Sequence, residues 1–290
     1  GSYVEGLGYW DYATYYLGFQ SSALMTTTGT DYGLANYEGL RKSVDFVRYM
    51  SSNIPESFSF GDDGTCRNTG WFVFMWLGQY YNSPSLIQRR IENRKKDRMG
   101  FRYQDVLWMQ EVKKDSLGDL YQSPDWGGVG YYNTSFRTSW DISGTVAAMH
   151  AGINDYEHHT HFDLGSFYIE SNGSRFFTDL GNEPDYELDN RLYSYRIKPE
   201  GHNTLAINPT KGTDQKDLTI CPITEFKGGN EAYAITDLTE AYSDNGANKV
   251  VRGLKMIKDK ECVIIQDEIS LNKEGEIYWF AHTEAEKKNI

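Results

Sequence analysis

Apolar positions in residues 1–112 recur at helical spacing. Near the start, Tyr9, Tyr12, Ala13, Tyr16, Gln20 and Ala23 lie three and four apart, so they share one face of a helix. TGTDYG at 28–33 interrupts that pattern. Leu40, Val44, Val47 and Met50 predict a second helix over 37–50, closed by SSNIPES. WFVFMWLGQYY (71–81) is apolar on nearly all sides, which marks a buried helix, and FRYQDVLWMQ (101–110) reads as a shorter one. From about residue 117 the period changes. GTVAAMHAG, GSFYIESNGSRFFTDLG, EAYAITDL and NKVVRGLKMIKDKECVIIQDEI are short β-branched or aromatic runs parted by turn residues. Asn172–Gly173 separates FYIE from RFFTD, and Asn-Gly suits the type I′ turn of a tight hairpin. Helices followed by strands predict an α+β chain in two segregated parts, 1–115 helical and 116–290 antiparallel sheet.

Composition narrows the chemistry only a little. At 290 residues the chain can be one large domain or two ordinary ones. No run approaches the length of a membrane span, and no basic-then-apolar leader precedes the first motif. Cys66, Cys221 and Cys262 lie far apart without a C-x-x-C, so a disulfide scaffold is not expected. A net charge of −12 argues against nucleic acid as a partner. The basic run QRRIENRKKDR (88–98) reads as a solvated helix face. The 22 Tyr and 7 Trp suit cores and sugar rings alike, so their number does not choose between them.

The histidines are more specific. EHHTHFDLGSF puts His158, His159, His161 and Asp163 together. On a strand, His159, His161 and Asp163 would face one side. Downstream stand Asp179, in FFTDLG, and His202, in EGHNTLAIN. Imidazoles and carboxylates converging in this way suit zinc. Two assignments stay open on the residues alone. His161, Asp163 and His202 match the facial triad of an iron(II) oxygenase. His161, Asp179 and His202 would instead hold zinc and leave His159 free as an acid or base.

YVEGLGYWDYATYY (3–16), HHTHFDLGSFYIESNGSRFFTDLG (158–181) and GHNTLAIN (201–208), linked by TGTDYG and NTSFRTSWD, together resemble the heparinase II/III family of polysaccharide lyases. The resemblance implies partial (α/α) toroid helices followed by an antiparallel β-sandwich, possibly truncated. It implies β-elimination on a uronate-containing acidic polysaccharide, here a heparin- or heparan-sulfate-like glycosaminoglycan. It places the catalytic tyrosine at Tyr9, with Tyr12 or Tyr16 as the alternative, and the catalytic histidine at His159. Structural zinc falls on His161, Asp179 and His202. Arg137, Trp10 and Tyr12 become candidate substrate contacts, Trp10 as core or sugar platform, and Arg137, Arg191 or the 88–98 run would offset the polymer's charge. The family's toroid is longer, and its Asn and His that neutralise the uronate lie upstream of the tyrosine motif. The chain is therefore expected to be the C-terminal portion of a larger periplasmic or secreted enzyme. An alginate or other uronate lyase, the iron oxygenase and a non-catalytic carbohydrate-binding fragment are the competing readings.

Overall fold

In the computed structural model, helix α1 (Leu7–Thr28) buries Leu7, Trp10, Thr14, Gly18 and Ser21, three and four residues apart. That stripe is offset from the tyrosine stripe of the sequence: Tyr12, Ala13, Tyr16, Gln20 and Ala23 are exposed. The helical period is right, and the phenols hold its solvent side. The structure describes residues 4–54, 56–64, 72–84, 86–88, 90–91, 103–109, 123–184 and 191–284.

Helix α2 (Glu38–Met50) buries Val44, Val47 and Met50 as its spacing predicts. Helix α3 (Val73–Tyr80) is buried from Val73 through Gly78, in keeping with its all-round apolar sequence. The short helix α4 (Tyr103–Leu107) follows. Trp71, Cys66, most of the 88–98 run and the expected boundary near 115 lie outside the described residues. No helix among the described residues is long and apolar enough to cross a membrane.

Strands β1 (Asp125–Trp126), β2 (Asn133–Arg137), β3 (Val146–His150), β5 (Phe167–Ser171) and β6 (Ser174–Phe177) form one antiparallel sheet in the order β1-β2-β3-β5-β6, β4 (Gly152–Asn154) lying outside it. A second sheet has the order β12-β11-β10-β9, from β9 (Ile223–Lys227), β10 (Glu231–Asp237), β11 (Ala247–Ile257) and β12 (Cys262–Leu271). Two short ladders pair β4 with β8 (Thr219–Cys221) and β7 (Leu205–Ile207) with β13 (Ile277–Trp279). The β5–β6 hairpin turns at Asn172 and Gly173 with φ 51° and 72°, the doubly left-handed turn that Asn-Gly predicts.

Strands β2 and β3 are buried at every position, unlike the alternating β10. The reason is a second covered face. Phe136, Ala147 and Met149 meet Ile223, Ala232, Ala234, Leu254 and Met256 of the other sheet, making a sandwich. Val146, Ala148 and Tyr168 turn the opposite way into a core with Leu7, Trp10, Val47 and Phe58. Helices, first sheet and second sheet are thus three layers around one shared sheet.

Candidate active site

Four connecting segments meet between the start of α1 and the first sheet. They are the turn at 61–64, the 155–166 loop, the 178–182 segment after β6, and the 199–204 segment before β7. The histidine-rich segment is not a strand. Tyr156–His158 form a 3-10 turn, and His159 has a left-handed backbone at φ 60°, which breaks any two-residue alternation. His159 is therefore 47% exposed, while His161 and Asp163 are buried.

Asp62 organises these side chains. Its Oδ2 lies 3.0 Å from His159 Nδ1, and its Oδ1 lies 3.3 Å from His161 Nε2 and accepts from Arg191 Nη2 at 2.5 Å. Burial alone would push this carboxyl up. Hydrogen bonds from His161 and His159, with the Arg191 charge, outweigh it and hold the pKa at about 2. An ionised carboxylate only accepts, so the facing nitrogens, Nδ1 of His159 and Nε2 of His161, are the protonated ones.

Asp63, the next residue, holds the helix. Its carboxylate accepts from Leu7 N at 2.7 Å and from Gly8 N at 3.3 Å, satisfying amides that the first turn of α1 leaves unpaired. Gly6 makes the approach possible: its φ is 100°, and an added Cβ would stand 2.4 Å from Asp63 Cβ. Tyr9 sits half-buried on the turn so anchored. Just before it, Glu5 Oε1 lies 4.0 Å from His159 Nε2. The helix start and the histidine loop are therefore neighbours.

Deeper in, Asp179 Oδ2 lies 2.8 Å from His202 Nδ1 and accepts from Ser166 Oγ at 3.0 Å, while Oδ1 accepts from Gly181 N at 3.0 Å. Burial opposes charge on both partners, yet the pair overrides it: the Asp179 carboxyl is held down and the His202 imidazole is pushed up. Burial pulls His161 down. His161 Nδ1 and His202 Nε2 are buried without hydrogen-bond partners, on rings whose centroids are 5.2 Å apart. Among the described residues, no three His, Cys, Asp or Glu side chains form a ready metal-binding group. Asp163 accepts from Gly61 N at 3.0 Å and lies 3.5 Å from His150 Nε2, so it ties the histidine loop to the 61–64 turn.

The expected substrate contacts divide. Tyr12 is 63% exposed and meets Tyr16 edge-to-face at 5.1 Å, an open aromatic pair. Trp10 is 3% exposed and packs on Phe74, so of its two expected roles it fills the core one. Arg137 is fully buried and corrects the expectation of a substrate contact. Its guanidinium donates to Asn53 Oδ1 at 2.9 Å, to Ser51 O at 3.0 Å and to Tyr49 O, and lies 4.2 Å over Trp140. It stitches β2 to the end of α2. Arg191 is engaged with Asp62. Asp62, Asp63 and Glu5 escaped the sequence reading; the only local signal was a doubled aspartate between two glycines, Gly61 to Gly64.

A helical layer packs on an antiparallel sandwich, and a histidine–carboxylate cluster lies at their seam, a two-part architecture. The model of the heparinase II/III-like C-terminal domain matches residues 136–289, more than half of the chain, and the chain belongs to that family. Solved structures share the fold. The heparan sulfate lyase HepC mutant from Pedobacter heparinus superposes with a TM-score of 0.68 at 14% identity, over 97% of this chain and 41% of that one. Heparinase III gives 0.66 at 18% identity, over 92% and 40%. The heparinase III BT4657 gene product with methylated lysines gives 0.62 at 15%, over 92% and 38%. The chain thus spans about two fifths of these relatives. No curated protein matches it in sequence.

Proposed function

We propose that the chain forms the catalytic seam of a polysaccharide lyase, with Tyr9 and His159 as its acid–base pair and a uronate-containing acidic polysaccharide of the heparan sulfate class as substrate. The observation that carries this is the Asp62–Asp63 turn. One carboxylate fixes His159, and its neighbour fixes the helix turn bearing Tyr9. In this reading the helices are the end of an (α/α) toroid, and the whole enzyme works in the periplasm or outside the cell.

Elimination fits the groups at hand. His159 Nε2, unprotonated while Nδ1 faces Asp62, takes the proton from C5 of the uronate. The C5–H electrons form the C4–C5 double bond, the C4–O bond breaks, and the Tyr9 hydroxyl protonates the departing oxygen. Each such proton transfer is typically worth about 10²–10⁴-fold. The uronate carboxylate must also be neutralised. The family resemblance gives that role to an Asn and a His upstream of the tyrosine motif, while in this chain Arg137 is buried and Arg191 is engaged by Asp62.

Zinc suits part of the donor set. His161 Nδ1 and His202 Nε2 are unpartnered buried nitrogens, each on a ring whose other nitrogen faces a carboxylate, which is how ligating imidazoles are held. His161 and His202 would hold the ion with Asp179, whose Oδ2 here stands behind the His202 ring. Bound zinc would brace the loop that carries His159.

The test is an ultraviolet assay for the unsaturated uronate. Heparin, heparan sulfate, chondroitin sulfate, hyaluronan and alginate are offered to this chain and to an N-terminally extended form. A signal lost in Tyr9→Phe and His159→Ala, with polymer binding kept, supports the lyase. Silence from the extended form on all five polymers refutes it.

A further inference from the structure

We infer that Asp62 is a positioning residue for the lyase reaction: it selects the proton-accepting tautomer of His159, and Arg191 locks the carboxylate in the orientation that does so. The inference rests on the lyase reading for its kinetic consequence, but its structural core stands on geometry alone. The Asp62 side chain is fully buried, and its two oxygens have different company. Oδ2 faces only His159 Nδ1 among its hydrogen-bond contacts, at 3.0 Å. Oδ1 faces His161 Nε2 and Arg191 Nη2. Arginine can only donate, so the position near Arg191 must hold an acceptor.

That asymmetry makes one conservative substitution unusually informative. In Asp62→Asn the amide oxygen has to face Arg191 and His161, which leaves the amide NH₂ pointing at His159 Nδ1. A donor there turns Nδ1 into the acceptor and moves the ring proton to Nε2. Nε2 is the nitrogen that faces Glu5 Oε1 at 4.0 Å, on the side of the Tyr9 helix. A ring protonated at Nε2 cannot take a proton there. The same logic, an orienting carboxylate behind a catalytic imidazole, underlies triad chemistry on unrelated folds, where the amide substitution costs on the order of 10⁴-fold.

The experiment uses protein labelled with ¹⁵N on its histidine rings. His159 is assigned by the signals missing from His159→Ala, and long-range ¹⁵N–¹H correlations read the tautomer at a pH where the ring is neutral. The wild type should carry its proton on Nδ1 and Asp62→Asn on Nε2, with thermal unfolding still cooperative. On the polymer that is turned over, Asp62→Asn should lose roughly 10²–10⁴-fold in kcat with KM little changed. Asp62→Ala, which offers Nδ1 neither donor nor acceptor, should give a mixture of tautomers. A wild-type ring protonated on Nε2 overturns the inference even if every variant misfolds. So does an Asp62→Asn protein whose tautomer and kcat are both unchanged. If the N-terminally extended wild type turns over no polymer, the lyase reading and the kinetic half fall together, while the tautomers still decide the positioning role.

Discussion

Asp11 should destabilise the fold at neutral pH. It lies on α1, where the Arg90 guanidinium attracts it by charge alone, Arg90 being paired with Asp105 through Nε to Oδ1 and Nη2 to Oδ2, both 2.8 Å. Its Oδ1 is buried without a hydrogen-bond partner. Burial pushes the carboxyl from its ordinary 3.8 up to about 7, against the weaker Arg90 charge. A folded-state pKa above the unfolded one means that the fold holds the proton more tightly. This group's contribution is therefore best below about pH 4, declines as pH rises, and reaches its full penalty above about pH 7. At about 1.4 kcal/mol per pH unit, that penalty is about 4 kcal/mol, a ceiling because Asp11 retains some accessible surface. Asp11→Asn removes the ionisation and keeps the shape. Urea unfolding of both proteins at pH 4 and pH 8 measures the effect. The variant should gain about 2–4 kcal/mol at pH 8 and less than about 1 kcal/mol at pH 4. Equal midpoints at pH 8, or a variant less stable there, would refute the reasoning.

Other substitutions probe the site and its frame. Asp63→Ala leaves the Leu7 and Gly8 amides without their acceptor and should cost about 1–2 kcal/mol in chemical denaturation, with loss of turnover beyond what stability explains. Gly173→Ala forces a side chain into φ 72° with Ile142 Cγ1 at 3.3 Å from the new methyl; a loss of about 1 kcal/mol in thermal unfolding is expected. Trp10→Ala should cost about 3–5 kcal/mol, whereas Tyr12→Ala should leave the melting temperature nearly unchanged and weaken polymer binding instead. Metal analysis of protein made in zinc-containing medium should find about one ion per chain, lost in His161→Ala and in His202→Ala, with a chelator lowering the melting temperature of the wild type alone.

Local pattern carried the reading a long way. The periods of α2 and α3, the Asn172–Gly173 turn and the change from helices to strands are properties of neighbours in sequence, and those survive in the structure. The tyrosine face shows the limit. A period identifies a stripe but not which stripe is buried, and in α1 the buried one runs through Leu7, Trp10, Thr14, Gly18 and Ser21. The resemblance made Arg137 a substrate contact, whereas its guanidinium is buried on Tyr49, Ser51 and Asn53, which lie over eighty residues earlier. His159 was assigned to a strand because alternation was visible and a left-handed φ was not. Asp62 was missed for the same non-local reason: its bonds to His159 and Arg191 span 97 and 129 residues. The site histidines were legible as residues. Asp179, which faces His202, was legible too, but Asp62, which faces His159 and His161, was not.

The sheet carrying β2 and β3 has an engineering consequence. A sandwich lifted away from its helices would show Val146, Ala148 and Tyr168 to water, a raw apolar strip prone to self-association. Grafting this half onto a foreign helical partner therefore begins with volume matching at those three side chains. Only a partner that fills that strip can inherit the seam, and the Gly61–Gly64 turn must travel with the graft.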